Sequence, residues 1–206
     1  MNKKVKKVKK VKQVRKVRQV QKVKRPAAAS RQDALLRLST GIAEAESENE
    51  VCRAVVEGLF VETLGYDFVA VLLVDQATGD RVLVASAGWK QAPAGLRIRP
   101  GQGLSERPLL DGRIHYTPRV TKETRYLPTR NEGSEVDVPL LANRALVGVL
   151  VVESNRPDAF DDGDFKVLTA AANQAGIAIG RARLLRAERA RADEQEALRA
   201  TMADLA

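Results

Sequence analysis

The chain has 206 residues, of which 44% are hydrophobic and only 4% aromatic, and its formal net charge is +9. A single cysteine, Cys52, excludes an internal disulfide and a multi-cysteine zinc site, and a single histidine, His115, excludes a multi-histidine centre. So few aromatic rings weigh against a protein that reads nucleic acid by stacking bases. No run reaches about 18 apolar residues and the N-terminus lacks an apolar signal core, so the expected compartment is the cytoplasm.

The charge is segregated. Residues 1–25 hold 13 of the 35 Lys and Arg and no acid, so the remainder carries 22 bases against 26 acids, a net of −4. Within that tail, valine recurs at every third position, at Val5, Val8, Val11, Val14, Val17, Val20 and Val23. A period of three forms no apolar face on a helix or a strand, and like charges repel. Residues 1–30 are therefore expected to be a disordered basic tail and hinge. Residues 3–25 are either an arm for nucleic acid or an anionic surface, or a repeat expansion or mis-assigned start without a role.

The next elements follow from periodicity. Ser30 to Ala45 is predicted as a helix with Leu35, Leu36, Leu38 and Ile42 near one face. Ser47 and Glu50 form a capping box. The helix they open carries Val51, Val55, Val56, Leu59, Phe60 and Leu64 at core spacing and is expected to stop at Gly65. Cys52 lies on this helix and reads as a small buried residue rather than a reactive thiol. Phe68 to Val74 and Arg81 to Ala87 form a hairpin with a Gly-containing loop. The segment from Gly88 to Pro100 holds the single tryptophan, Trp89. Gly101-Gln102-Gly103 reads as a tight turn needing positive φ rather than a phosphate loop, because Arg107 stands where a third glycine would be required. A short helix over Leu104–Leu110 and a short strand over Ile114–Thr117 follow, then a polar loop from Pro118 to Arg130.

Val136, Val138 and Leu140 alternate with Asp137 and Pro139, the pattern of a strand with one buried face. Asn143-Arg144 marks a hairpin turn, and Val147 to Val152 is apolar enough for a strand covered on both sides. Asp161 or Asp162 is expected to cap a long helix running to Ala206, with Asp164 in its first turn. Ala171, Ala175, Ala178, Ala182 and Leu185 recur at alternating spacings of four and three, which reads as a seam for a parallel homodimer. Residues 31–182 are taken as the folded domain, and 183–206 as a coiled-coil signalling helix.

Several of these segments together resemble the GAF domain family. They are Arg125-Tyr126-Leu127-Pro128, Ser134 to Leu140, Gly148 to Ser154, Phe160 with Asp164, and Ala175 to Ile179, and the likeness covers about residues 33–185. The resemblance implies an α+β fold. It consists of a central antiparallel sheet of about six strands with helices on one face and a ligand cavity on the other. Cyclic-nucleotide members carry an Asn-Lys, Phe and Asp-Glu signature; here Asn155-Arg156, Phe160 and Asp164 match in part and Phe165 replaces the final Glu. Where many members have Asp-Val, this chain has Arg119-Val120. The candidate ligand-binding residues are Arg119, Tyr126 and Glu135, on or beside the segments that carry the resemblance, and Trp89, which in a loop after a strand either lines a pocket or caps the core. No cysteine lies in the loops, so a covalent bilin is not expected, and haem would need His115; the cofactor is otherwise unassigned.

Three functions are compatible with this reading. The first is a bacterial sensory domain, not an enzyme, that binds a small molecule or partner. It would relay the change through a dimeric C-terminal helix to a kinase- or cyclase-type output. The second is a nucleic-acid-associated protein anchored by residues 3–25. The third is a free methionine sulfoxide reductase, which the lone Cys52 disfavours.

Overall fold

The computed structural model describes residues 28–88, 95–123 and 132–203. The basic repeat, Trp89 and Tyr126 lie outside the described residues.

Two helices open the fold, α1 over Ala28–Glu44 and α2 over Glu48–Leu59. The capping box forms as expected: the Glu50 amide donates to Ser47 Oγ at 3.3 Å and the Ser47 amide donates to Glu50 Oε2 at 3.1 Å. The predicted end of α2 is corrected. It stops at Leu59 with Phe60 as C-cap, and Gly65, at φ 68°, closes a separate turn back to Val61. Leu64 still reaches the core, whereas Phe60 is partly exposed. In α1 the buried residues are Ala34, Leu38 and Ile42, while Leu36 faces solvent.

Six strands form one antiparallel sheet: β1 Phe68–Val74, β2 Arg81–Ala87, β3 Arg97–Ile98, β4 His115–Thr117, β5 Ser134–Ala142 and β6 Ala145–Ser154. The spatial order is β3-β2-β1-β6-β5-β4. Asn143 and Arg144 take φ of 49° and 66°, the left-handed pair that a two-residue hairpin turn requires. Pro139 lacks an N–H and sits just beyond the last β4–β5 pair, His115 with Asp137, where β5 is locally an edge. A short helix, α3, spans Arg107–Asp111. Gly101 and Gly103, at φ 82° and 74°, make the turn before it.

The main core lies between the sheet and α1, α2 and the long helix α4, Asp162–Ala203. It includes fully buried Leu38, Val55, Leu59, Leu140 and Leu168. Each such side chain contributes about 1.5–3 kcal/mol by leaving water. Cys52 belongs to this core, and burial pushes its thiol up to about 12. Asp161 caps α4 by accepting from the Gly163 and Asp164 amides at 2.8 and 3.1 Å. Arg31 and Tyr66 clamp the same end, donating to Asp164 at 3.0 and 3.1 Å. Phe160 stacks on Tyr66, so Phe160 and Asp164 of the partial cyclic-nucleotide signature serve here to seat α4. Among the described residues no helix is long and apolar enough to cross a membrane.

Candidate functional site

β5 is the strand on which both halves of the molecule meet. Val136, Val138, Leu140 and Ala142 point into the helical core. Glu135 and Asp137 point to the opposite face, toward α3 and β4. The expectation of one buried face is corrected: Glu135 is 5% exposed and Asp137 0%. A bulge in the β5–β6 hairpin completes the acid face. Ala142 pairs with Ala145 and Leu141 with Leu146, but Leu140 pairs with Gly148, so Val147 is an extra residue. The one-residue shift sets Glu153 directly across from Glu135. Glu135, Asp137 and Glu153 therefore share one face, beside an apolar patch that includes Phe68, Ala70, Val149 and Val151.

Three buried carboxylates this close disfavour one another's charge. Burial pushes Glu135 well above the ordinary carboxylate range, and the charges of Asp137 and Glu153 push it further. Burial, with the charge of Glu153, pushes Asp137 up to about 7. With both carboxylates ionised neither oxygen of Asp137 finds a donor, and a proton held on Glu135 supplies one, a hydrogen bond that holds the rise of Asp137 in check. Two guanidinium groups reach it electrostatically, and both are engaged elsewhere. Arg107 pairs with Glu123 at 2.6 Å and donates to Thr117 at 3.2 Å. Arg81 is fully buried, pairs with Glu106 at 3.0 Å, and donates to Ser105 Oγ and the Arg99 carbonyl, both at 2.8 Å. It also donates to the Gln102 carbonyl, which fixes the glycine turn beneath α3.

The sequence-predicted residues divide. Glu135 lies in the acid face. Arg119 pairs with Asp158 at 2.7 Å, both more than half exposed, and so sits on the surface. His115 lies across β4 from Asp137 and contacts Asp111 at 3.0 Å. Among the described residues no group of three or more His, Cys, Asp or Glu is gathered to hold a metal ion. Ala171, Ala175, Ala178 and Ala182 are buried in the chain's own core, and Leu185 is 41% exposed. The alanines are small because the helix lies close on β5: a Cβ on Gly176 would stand 2.3 Å from the Leu141 carbonyl oxygen. The four alanines are thus packed within the chain itself. The sequence reading missed Asp137, Glu153, Arg81 and Arg107. Gly148 was the available signal, since glycine inside an apolar strand marks a bulge or a close approach.

A six-stranded antiparallel sheet, with the helical core on one face and a buried polar cluster on the other, defines a small α+β module. The GAF domain model matches residues 45–180, and the chain belongs to that family. No curated protein matches the chain by sequence. Among solved structures, the GAF domain of an Acinetobacter phosphoenolpyruvate-protein phosphotransferase is 23% identical, with a TM-score of 0.67 over 74% of this chain and 94% of that one. A segment of a methyl-accepting chemotaxis protein is 27% identical, with a TM-score of 0.64 over 73% and 99%. The free methionine-R-sulfoxide reductase of Neisseria meningitidis, solved with its substrate, is 23% identical, with a TM-score of 0.69 over 77% and 93%.

Further reductases of that kind match as well. Their presence corrects the expectation that the chain is not an enzyme. The same fold carries catalysis in those proteins, and a count of cysteines bears on one thiol mechanism, not on what the fold can do.

Proposed function

We propose that this GAF domain is a regulatory module that binds a small molecule on the acid face of β5 and relays the change through α4. The observation that supports it best is the back-to-back placement on one strand. Glu135 and Asp137 face the site, while Leu141 and Ala142 lie against Gly176 and Gly180 of α4 with no room for a single added carbon. A displacement of β5 is therefore carried to the helix by hard contact. A ligand shifts the helix by as much as its affinity differs between two helix positions.

The output requires a second copy. Ile177, Leu184 and Leu198 are exposed by 59–70% and stand at seven-residue intervals, interrupted by Arg191. That interval belongs to a coiled-coil seam, and a polar residue within the row sets register. Leu36 of α1 adds a further exposed apolar residue. The expected particle is a homodimer joined along this outer row. Light scattering on the full chain at high micromolar concentration tests it, and a monomer would remove the relay.

A second reading rests on the segregated charge. Residues 3–25 carry enough Lys and Arg to hold nucleic acid without regard to sequence. Retention on duplex DNA should be strong at low salt, fall steeply with added salt, and vanish when residues 1–25 are removed; retention unchanged by that deletion would sink it.

A further inference from the structure

We propose that the basic segment of residues 3–25 docks on the folded domain of its own chain, in the groove between α1 and α2. The proposal needs neither the ligand nor the dimer of the preceding reading, and it places a competitor for nucleic acid within the chain.

The acid of the folded part is as segregated as the base of the tail. Residues 44–62, the α1–α2 corner and α2, hold six glutamates and one arginine, a net of −5. Everything after residue 25 nets −4, so the chain outside that stretch and the tail nets +1. The exposed length of α4 from Arg186 to Arg199 is no rival, since it carries four acids and four arginines. A groove of about 260 Å³ runs between α1 and α2, with Gly41, Ala45 and Ala54 half-buried in it and Glu44, Glu50 and Glu57 exposed along it. The helices approach closely there, since a Cβ on Gly41 would stand 3.1 Å from that of Ala54. Arg53 is the only base in the lining. Glu48 is taken by Arg183 at 2.8 Å, whereas Glu44 and Glu57 form no ion pair among the described residues.

The repeat matches this groove in pattern and in reach. Val5, Val8, Val11, Val17 and Val23 each stand between two Lys or Arg. A valine suits the floor of small residues while its flanking bases meet glutamates on both helices. Gly41 lies about 20 Å along α1 from Ala28, at about 1.5 Å per residue. About seven residues of extended chain span that distance, which leaves most of residues 3–25 for the groove. Each exposed ion pair contributes little, so the attraction comes from their number and from the tether, which sets an effective concentration in the millimolar range. A lysine held by a glutamate is withheld from phosphate, so the docked chain binds polyanions more weakly than its tail charge implies.

The test is carbodiimide coupling on the full chain, which joins a lysine amine to a carboxylate touching it, followed by peptide mapping by mass spectrometry. An equal amount of isotope-labelled chain separates couplings within one copy from couplings between copies. At low salt, lysines of residues 3–25 should couple within one copy to Glu44 or Glu57 at least about fivefold more often than to Glu188 or Glu194, and the preference should vanish near 1 M salt, where charges act over only about 3 Å. Glu44→Gln with Glu57→Gln should tighten binding of the full chain to a short DNA duplex by about threefold or more, because the tail is released. Glu188→Gln with Glu194→Gln removes the same charge elsewhere and should leave that affinity unchanged. The proposal is overturned if couplings spread evenly over the acids of α2 and α4, if they join only different copies, or if the two double variants change duplex binding alike. A chain that does not retain duplex DNA rejects the second reading above, and the couplings still decide this one.

Discussion

Asp137 is a charged residue at a fully buried position between two core valines. Its neighbours Val136 and Val138 were legible as core, because their alternation is local. The same alternation places Asp137 on the polar side, and the fold buries it fully. Among the described residues, the cover on its face comes from the short helix α3, while β4, three residues long, lies beside β5 in the sheet. Nothing within β5 signals that cover. The consequence is measurable as a pH dependence. The ordinary value for Asp137 is 3.8 and burial raises it to about 7, so the folded state binds its proton more tightly than the unfolded chain does. Stability from this group is therefore full below about pH 4 and is lost as pH rises toward and through 7. Glu135 adds to the same slope. Among the described residues, Glu153, Arg81 and Arg107 are the other charged groups whose fields reach this pair. Asp161 acts oppositely: against the cost of burial, the Asp164 amide and Arg31 hold it low, so its share is lost only in acid. Denaturant melts of Asp137→Asn at pH 8 should show a gain in stability, because the variant removes the cost of ionising a buried carboxylate. The gain should shrink toward zero at pH 5; a gain equal at both values would contradict the assignment.

At the scale of elements, most of the fold was readable. Ser47 with Glu50, the Asn143-Arg144 turn and the apolar run of β6 each announce themselves within a few residues. The bulge at Val147 was not readable. A two-residue turn without it would pair Glu135 with Val152 and turn Glu153 toward the helices. A single inserted residue moves one carboxylate to the other side of the sheet, and only the neighbouring strand requires it. Gly148 records that requirement, since a Cβ there would stand 2.3 Å from the Leu72 carbonyl oxygen. The alanine spacing of α4 was read as a seam between copies for a related reason. Small residues permit close packing against any partner, and periodicity does not say whether the partner is a second helix or the chain's own sheet. Gly176 makes the distinction testable. Gly176→Ala should cost about 1–3 kcal/mol of stability, as overpacking does, because the added carbon meets β5 backbone. Ile177→Ala, one residue along and exposed, should leave the fold stable and weaken only the dimer. Equal effects on the monomer fold would place α4 differently.

For the whole molecule, the order of layers assigns separate tasks to separate surfaces. The helical layer is the core. The acid face lies on the far side of the sheet, and α4 continues past the domain, exposed from Arg186 to Arg199. The family resemblance anticipated these layers, but not which side chains would fill the site, because GAF sequences share the scaffold rather than the ligand. The exposed row on α4 predicts assembly. Leu184→Asp should convert the dimer to a monomer in light scattering without lowering the melting temperature of the domain by more than a few degrees. A dimer that survives Leu184→Asp would mean that the copies join elsewhere.

Cys52 has a use that follows from its inertness. It sits on α2, wholly inside the helical core, and no other thiol exists in the chain. A water-soluble disulfide reagent meets it only when α2 lifts away, so its rate of modification is a clock for opening of the fold. The clock needs no label and has one hand. A compound that binds only the closed form should slow it in proportion to its occupancy, by one plus its concentration over its Kd. Screening compounds against that rate would find any occupant of the closed form, with no need to know what the bound protein does next.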